Sequence, residues 1–243
     1  MLGGIEMRTL EDLVNHMNKY KDTVIISGSK ILNVETTFSD EEFNENYTKK
    51  KLVREPEEFW KFFSEKIYKP VIHSPVTDLL KRINTSLIIN QDIYNDIPDS
   101  VNIRGSMNKF ICPKCKNTFK TSDSDISNLK CSCGKRYRPS VLLSGEKINQ
   151  VKYDLMRSNI LNTHTLFLVG VDFTEQVYLD IITDYADKKA LINSDENNDE
   201  EFFIVCLTND NFDPNELFFC EYLVKGDIKD SLERFLTCYE SSR

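Results

Sequence analysis

Apolar and polar positions alternate along this chain in two rhythms. Three runs are apolar without interruption: Thr23-Val24-Ile25-Ile26-Ser27-Gly28, Ser86-Leu87-Ile88-Ile89-Asn90-Gln91-Asp92 and Thr165-Leu166-Phe167-Leu168-Val169-Gly170. Short runs of β-branched and aliphatic residues with no polar alternation suit parallel strands covered on both faces. Ala190–Asn193, Phe202–Leu207 and Phe218–Val224 read as further strands, and Arg138–Glu146 as a segment returning the chain to the sheet. Between these runs the spacing turns helical. Met7–Lys19 places Leu10, Leu13, Val14 and Met17 on one face, with His16 on the exposed one. Pro56 opens an aromatic helix carrying Phe59, Trp60, Phe62, Phe63 and Ile67, which Pro70 closes. Val76–Ile83, Val151–Leu161 and Glu175–Ala186 are three more helices, and Gly226-Asp227 leads into a closing one with Ile228, Leu232, Phe235 and Leu236. Phe38–Arg54 is polar enough for a surface helix or loop, and the acidic, Asn-rich Asp195–Glu201 for a solvated loop. Strands alternating with helices predict an α/β fold with a parallel sheet, and right-handed crossovers make that sheet Rossmann-like.

In such a sheet ligands gather at the carboxyl ends of the strands, where glycine admits a close backbone and helix amides face an anion. Gly28, Gly170 and the polar Gln91-Asp92 stand at those ends. One segment breaks the alternation. Cys112 and Cys115, then fifteen residues, then Cys131 and Cys133 form two close pairs, the spacing that grips one tetrahedral ion. Four sulfur ligands leave no open position, so the expected zinc is structural; a disulfide pair or four unlinked thiols are the competing readings. The division that follows puts the Rossmann-like large domain at residues 1–106 and 139–243, with a helical insertion about 40–83, and a zinc-binding small domain at 107–138.

Composition adjusts this picture only locally. The 243 residues are 40% hydrophobic and 11% aromatic, enough for a substantial core, and they contain no membrane-length apolar run. Met1-Leu2-Gly3-Gly4 leads straight into an acidic stretch rather than a leader, so an intracellular, soluble and cytoplasmic protein with no membrane partner is expected. Cys206, Cys220 and Cys238 sit in apolar surroundings that suit reduced core thiols. A net charge of −8 argues against nucleic acid as a partner. Between Lys109 and Arg138, however, eight basic residues face only Asp123 and Asp125. Part of that excess balances a tetrathiolate zinc site, and the rest offers a docking surface for an acidic protein partner.

The order of these pieces resembles the sirtuins, NAD-dependent protein deacylases with a Rossmann-like large domain and a zinc-bearing small one. The likeness rests on the cysteine pairs, Arg138-Pro139 through Gly145-Glu146, Phe59-Trp60, Ile192-Asn193 and the closing Gly226 to Leu232. It implies NAD or ADP-ribose as ligand, with Gly28, Gln91, Gly170 and Asn193 as cofactor-binding residues. The family's cofactor motifs are altered. Gly28-Ser29-Lys30-Ile31-Leu32 stands for Gly-Ala-Gly-Ile-Ser, with Lys30 either reaching a pyrophosphate or filling the cavity. The Asp-Phe-Arg that follows leaves at best the aromatic residue of Thr37-Phe38-Ser39. Asn90-Gln91-Asp92-Ile93-Tyr94 stands for Thr-Gln-Asn-Ile-Asp, and Gly170-Val171-Asp172 for Gly-Thr-Ser.

The largest departure is Ile103-Arg104-Gly105-Ser106 in place of Leu-His-Gly-Ser. The family's histidine takes a proton from a ribose hydroxyl, whereas a guanidinium stays protonated and has no acceptor. Losing a base costs roughly 10²–10⁴ on that step. His73 and His164 fall outside the motif and do not replace it. The expectation is a sirtuin-like pseudoenzyme that acts by binding, with no catalytic residue assigned. The competing expectation is an active divergent deacylase, ADP-ribosyltransferase or NAD hydrolase.

Overall fold

The computed structural model describes residues 8–32, 34, 38–69, 72–120, 126, 129–194, 199–209 and 219–243. In chain order the strands are β1 (Thr23–Ser27), β2 (Leu87–Asn90), β3 (Val101–Asn102), β4 (Gly105–Ile111), β5 (Thr118–Lys120), β6 (Arg138–Val141), β7 (Thr165–Val169), β8 (Phe203–Thr208) and β9 (Tyr222–Lys225). The helices are α1 (Leu10–Tyr20), α2 (Asp40–Asn46), α3 (Lys49–Arg54), α4 (Pro56–Phe62), α5 (Pro75–Leu80), α6 (Gln150–Asn162), α7 (Gln176–Asn193) and α8 (Ile228–Ser241). Six strands form a wholly parallel sheet in the order β3-β2-β1-β7-β8-β9. The chain walks outward from β1 to β3 and later resumes at β7 on the other side of β1. That reversal opens a crevice above the carboxyl ends of β1 and β7.

The uninterrupted apolar runs sit where covering both faces requires them. Every residue of β1, β7 and β8 is buried. On one face Ile25, Ile88, Phe167 and Val205 meet Leu13 and Met17 of α1, Leu80 of α5 and Leu232 and Phe235 of α8. On the other, Val24, Ile26, Leu166 and Ile204 meet Met156 and Ile160 of α6 and Ile181 and Tyr185 of α7. Each such side chain removed from water contributes about 1.5–3 kcal/mol. A third core lies outside the sheet: Tyr47, Phe59, Trp60 and Phe63 pack against Met107 and Phe110 of β4 and Val141 of β6. The segment 38–54 is therefore helical and anchored by a buried tyrosine, more deeply engaged than its polar composition implies.

Several expectations are corrected. Arg138–Glu146 does not rejoin the parallel sheet; β6 pairs antiparallel with β4 in a separate three-stranded sheet of order β5-β4-β6. Pro139 tolerates this edge position because it has no amide to leave unpaired, and Arg138 closes the following turn with a two-pronged ion pair to Glu146 at 2.6 and 2.7 Å. Ala190–Asn193 is not a strand but the last turn of α7. At its end the Asn193 side chain bonds both backbone groups of Phe202, ahead of β8. His16 is buried, stacked 3.9 Å from Phe203 with Nε2 donating to the His164 carbonyl at 3.3 Å. Cys206 and Cys220 are buried, whereas Cys238 is exposed on α8.

Candidate functional site

Where β1 and β7 end, their backbones touch. The Gly28 amide donates to the Val169 carbonyl at 2.8 Å, and the Lys30 amide to the Gly170 carbonyl at 3.0 Å. A methyl group on Gly28 would lie 1.9 Å from the Gly170 oxygen, so no other residue fits there. Gly170 has φ +57, and a side chain on it would crowd Ile31 and Ile228. Both glycines thus have a packing cause and form the base beneath the crevice. Ser29–Ile31 makes one 3-10 turn over them, tied down by Asn209, whose Nδ2 donates to the Lys30 carbonyl at 3.3 Å.

Above this base lies a cavity of about 720 Å³ lined by Ser29, Lys30, Val34, Gln91, Asp92, Ile93, Tyr94, Arg104, Asp172 and Glu175. Gln91 spans it, donating to the Asp172 carbonyl and accepting from the Asp172 amide, both at 3.0 Å. Asp92 is buried, and its Oδ1 accepts from the Tyr94 amide at 2.7 Å. Its Oδ2 meets no partner among the described residues, and burial pushes its pKa up to about 6. Burial likewise raises the Tyr94 phenol to about 12, its hydroxyl donating to the Ile67 carbonyl at 2.7 Å.

Asn102 sets Arg104 in place: its Oδ1 accepts from the amides of Arg104 at 3.0 Å and Gly105 at 2.8 Å, and its Nδ2 donates to the Asp92 carbonyl at 3.0 Å. The guanidinium is then held by a hydrogen-bonded ion pair with Glu175, the residue immediately before α7. Burial raises the Glu175 pKa, opposed by Arg104 and reinforced by Asp172. In sum, two cations (Lys30, Arg104) and three carboxylates (Asp92, Asp172, Glu175) line the cavity.

Of the four residues that the family likeness assigns to a cofactor, Gln91 lines the cavity and Gly28 and Gly170 lie directly beneath it. Asn193 is not brought there: its bonds to Phe202 place it at the opposite edge of the sheet. Thr37 lies outside the described residues, and Phe38 packs into the third core. All three histidines are elsewhere. His164 pairs with Asp22 at 2.8 Å and His16 packs beside it, both at the amino-terminal edge, while His73 is exposed against Asp78. Glu175 was not singled out in the sequence. Its only signal was a carboxylate five positions beyond a strand-ending glycine, which is too common to stand alone.

The four cysteines of the small sheet converge. Their sulfurs all lie within 4.8 Å of one another, with Cys112 to Cys133 at 3.5 Å and Cys115 to Cys131 at 3.4 Å. Sulfurs about 2.3 Å from a tetrahedral zinc stand about 3.8 Å apart, so the set fits that ion with little adjustment. None is in a disulfide. The Cys133 amide, aimed at Cys131, is the main cause that brings the Cys131 thiol down to about 6, while the Cys115 thiol, despite the Asn117 amide beside it, is pushed up by its contact with Cys131.

A doubly wound α/β sheet with a cleft at its switch point and a four-cysteine module beside it defines a class of α/β proteins that bind ligands beyond the carboxyl ends of their strands. Comparison with known proteins narrows the class. The model of the Sir2 family matches residues 32–176, more than half of the chain, and the protein belongs to that family. An NAD-dependent protein deacetylase of Listeria innocua is 32% identical over an alignment of 150 positions that covers 58% of this chain and 65% of that protein. One from Staphylococcus aureus is 26% identical over 154 residues, covering 58% and 63%. The match thus spans a little under two thirds of these relatives. A structure described as bearing on the mechanism and regulation of Sir2 enzymes superposes with TM-score 0.72 at 16% identity, covering 96% of this chain and 98% of that one. A Sir2 homologue–NAD complex gives 0.70 at 15%, covering 98% and 96%. These likenesses establish the fold.

Proposed function

We propose that this protein holds NAD or ADP-ribose in the cavity over Gly28 and Gly170, and that protein deacylation by the imidazole route of its family is disabled. The observation that carries the reading is Arg104 in the cavity wall, with all three histidines far from it. The space of about 720 Å³ suits a ligand of this class. Ser29 and Lys30 present a polar turn and a cation to a pyrophosphate, and Gln91, held by the Asp172 backbone, lines the same space. Its relatives from Listeria and Staphylococcus are named NAD-dependent, which supports the choice of nucleotide. Zinc in the four-cysteine module is structural in this reading. Titration calorimetry with NAD and with ADP-ribose is the direct test: binding of at least one is expected, and no heat at millimolar concentrations of either ends the proposal.

The reading includes a protein partner on the basic side of the zinc module. Lys120, Arg136 and Arg138 are answered by Asp96, Glu57 and Glu146. Lys116 and Arg138 of the module, with Lys49, Lys147 and Lys152 from outside it and Glu146 among them, line a groove of about 830 Å³ that shares Arg104 with the nucleotide cavity. An acidic polypeptide segment suits that lining, a basic patch on a chain whose net charge is −8. No helix among the described residues is long and apolar enough to cross a membrane. Free thiols and a thiolate metal site fit a reducing, cytoplasmic setting.

A further inference from the structure

The arginine that stands in place of the family's base is paired with a carboxylate in the cavity wall. Arg104 offers donors only, yet its guanidinium is bonded to Glu175 Oε1, and both side chains line the same space. They remain reachable there, 34% and 20% exposed. Neither position is adventitious. Asn102 fixes the Arg104 backbone from one side, and the start of α7 carries Glu175 from the other. Lys30 faces them from the turn after β1, Asp92 and Tyr94 from the loop after β2, and Asp172 from the end of β7. A partly desolvated carboxylate is the group that inverting glycoside-cleaving sites use as general base, activating water against an oxocarbenium-like sugar.

We propose that the Glu175–Arg104 pair makes this cleft an NAD-hydrolysing site, with Glu175 the catalytic base, Arg104 its positioning residue and water the acceptor in place of an acylated lysine. The bond between ribose C1′ and the pyridinium nitrogen breaks, and its electron pair leaves with nicotinamide, which becomes neutral. The water oxygen bonds to C1′ and its proton passes to the Glu175 carboxylate, then to solvent. Nicotinamide and ADP-ribose are the products, and nothing is oxidised or reduced. This inference rests on the nucleotide reading above and adds a reaction to it.

The test is nicotinamide release from NAD by the zinc-loaded full chain without acylated peptide, alongside ADP-ribose calorimetry. The wild type is expected to release nicotinamide; Glu175→Gln, of the same shape, is expected to be slower by about 10²-fold while still binding ADP-ribose. Glu175→Asp should retain part of the rate. The wild-type rate should fall on acidification through a value above the ordinary glutamate range. Arg104→Gln should move that acidic limb to higher pH, because the cation that favours the carboxylate is gone, a shift that a merely structural arginine would not produce. If ADP-ribose binds but no nicotinamide is released, or if Glu175→Gln keeps the wild-type rate, the hydrolytic proposal is overturned and the nucleotide reading survives. If neither nucleotide binds, both are overturned.

Discussion

At position 104 one side chain changes what the cleft can do. Imidazole exchanges a proton near neutral pH, whereas guanidinium keeps its proton and binds an anion instead. The anion it has found is Glu175. Arg104→His is accordingly expected to release the Glu175 partner and restore a neutral acceptor. Acyl-peptide-dependent nicotinamide release should then rise at least about tenfold, against the 10²–10⁴ that a missing base costs. A variant that binds nucleotide as before but shows no gain would place the defect elsewhere, with Asp92 and Tyr94 the next residues to restore. Arg104, Lys30, Asp92 and Tyr94 stand out as departures in the sequence alone, because each breaks a short contiguous motif. Nothing there pairs Arg104 with a residue 71 positions away, since a salt bridge between distant segments leaves no local pattern.

At the scale of elements, α1 illustrates how burial overrides periodicity. His16 lies beside the apolar stripe and was expected in solvent, but the close stack on Phe203 draws it under the edge of the sheet. Burial holds its pKa down to about 4, from an ordinary 6.5, so it is neutral in the folded chain at neutral pH. Between those two values the unfolded chain binds a proton that the folded one refuses. Stability should therefore fall as the pH drops from 6.5 toward 4, by up to about 3 kcal/mol. His16→Phe removes that contribution. Melting temperatures across this window should fall more steeply for the wild type than for the variant, and parallel curves would contradict the assignment. The same edge holds Asn193, where α7 runs on through residues that alone look strand-like.

For the whole molecule, the important division is between two sheets with separate means of support. The six-stranded sheet rests on two helical layers, whereas the three-stranded sheet has one aromatic core and the four-cysteine cluster. Chelation of the metal is expected to loosen β4–β6 and raise hydrogen exchange there, while β1, β7 and β8 stay protected. Because Arg104 immediately precedes β4, nucleotide affinity should weaken too. Uniform loss of protection across both sheets would show a single cooperative unit instead.

Sequence by itself determined the parallel sheet, the two glycine-ended strands, the metal-ligand spacing and the loss of the imidazole. Each is written in neighbouring residues, through burial of a short apolar run or the spacing of ligands. Tertiary structure decided which strand ends meet, that Arg138–Val141 joins the small sheet, that Asn193 lies away from the cleft and that Arg104 is partnered by Glu175. Those outcomes depend on distant segments packing together, and the free energy that selects them comes from contacts no single stretch of the chain contains.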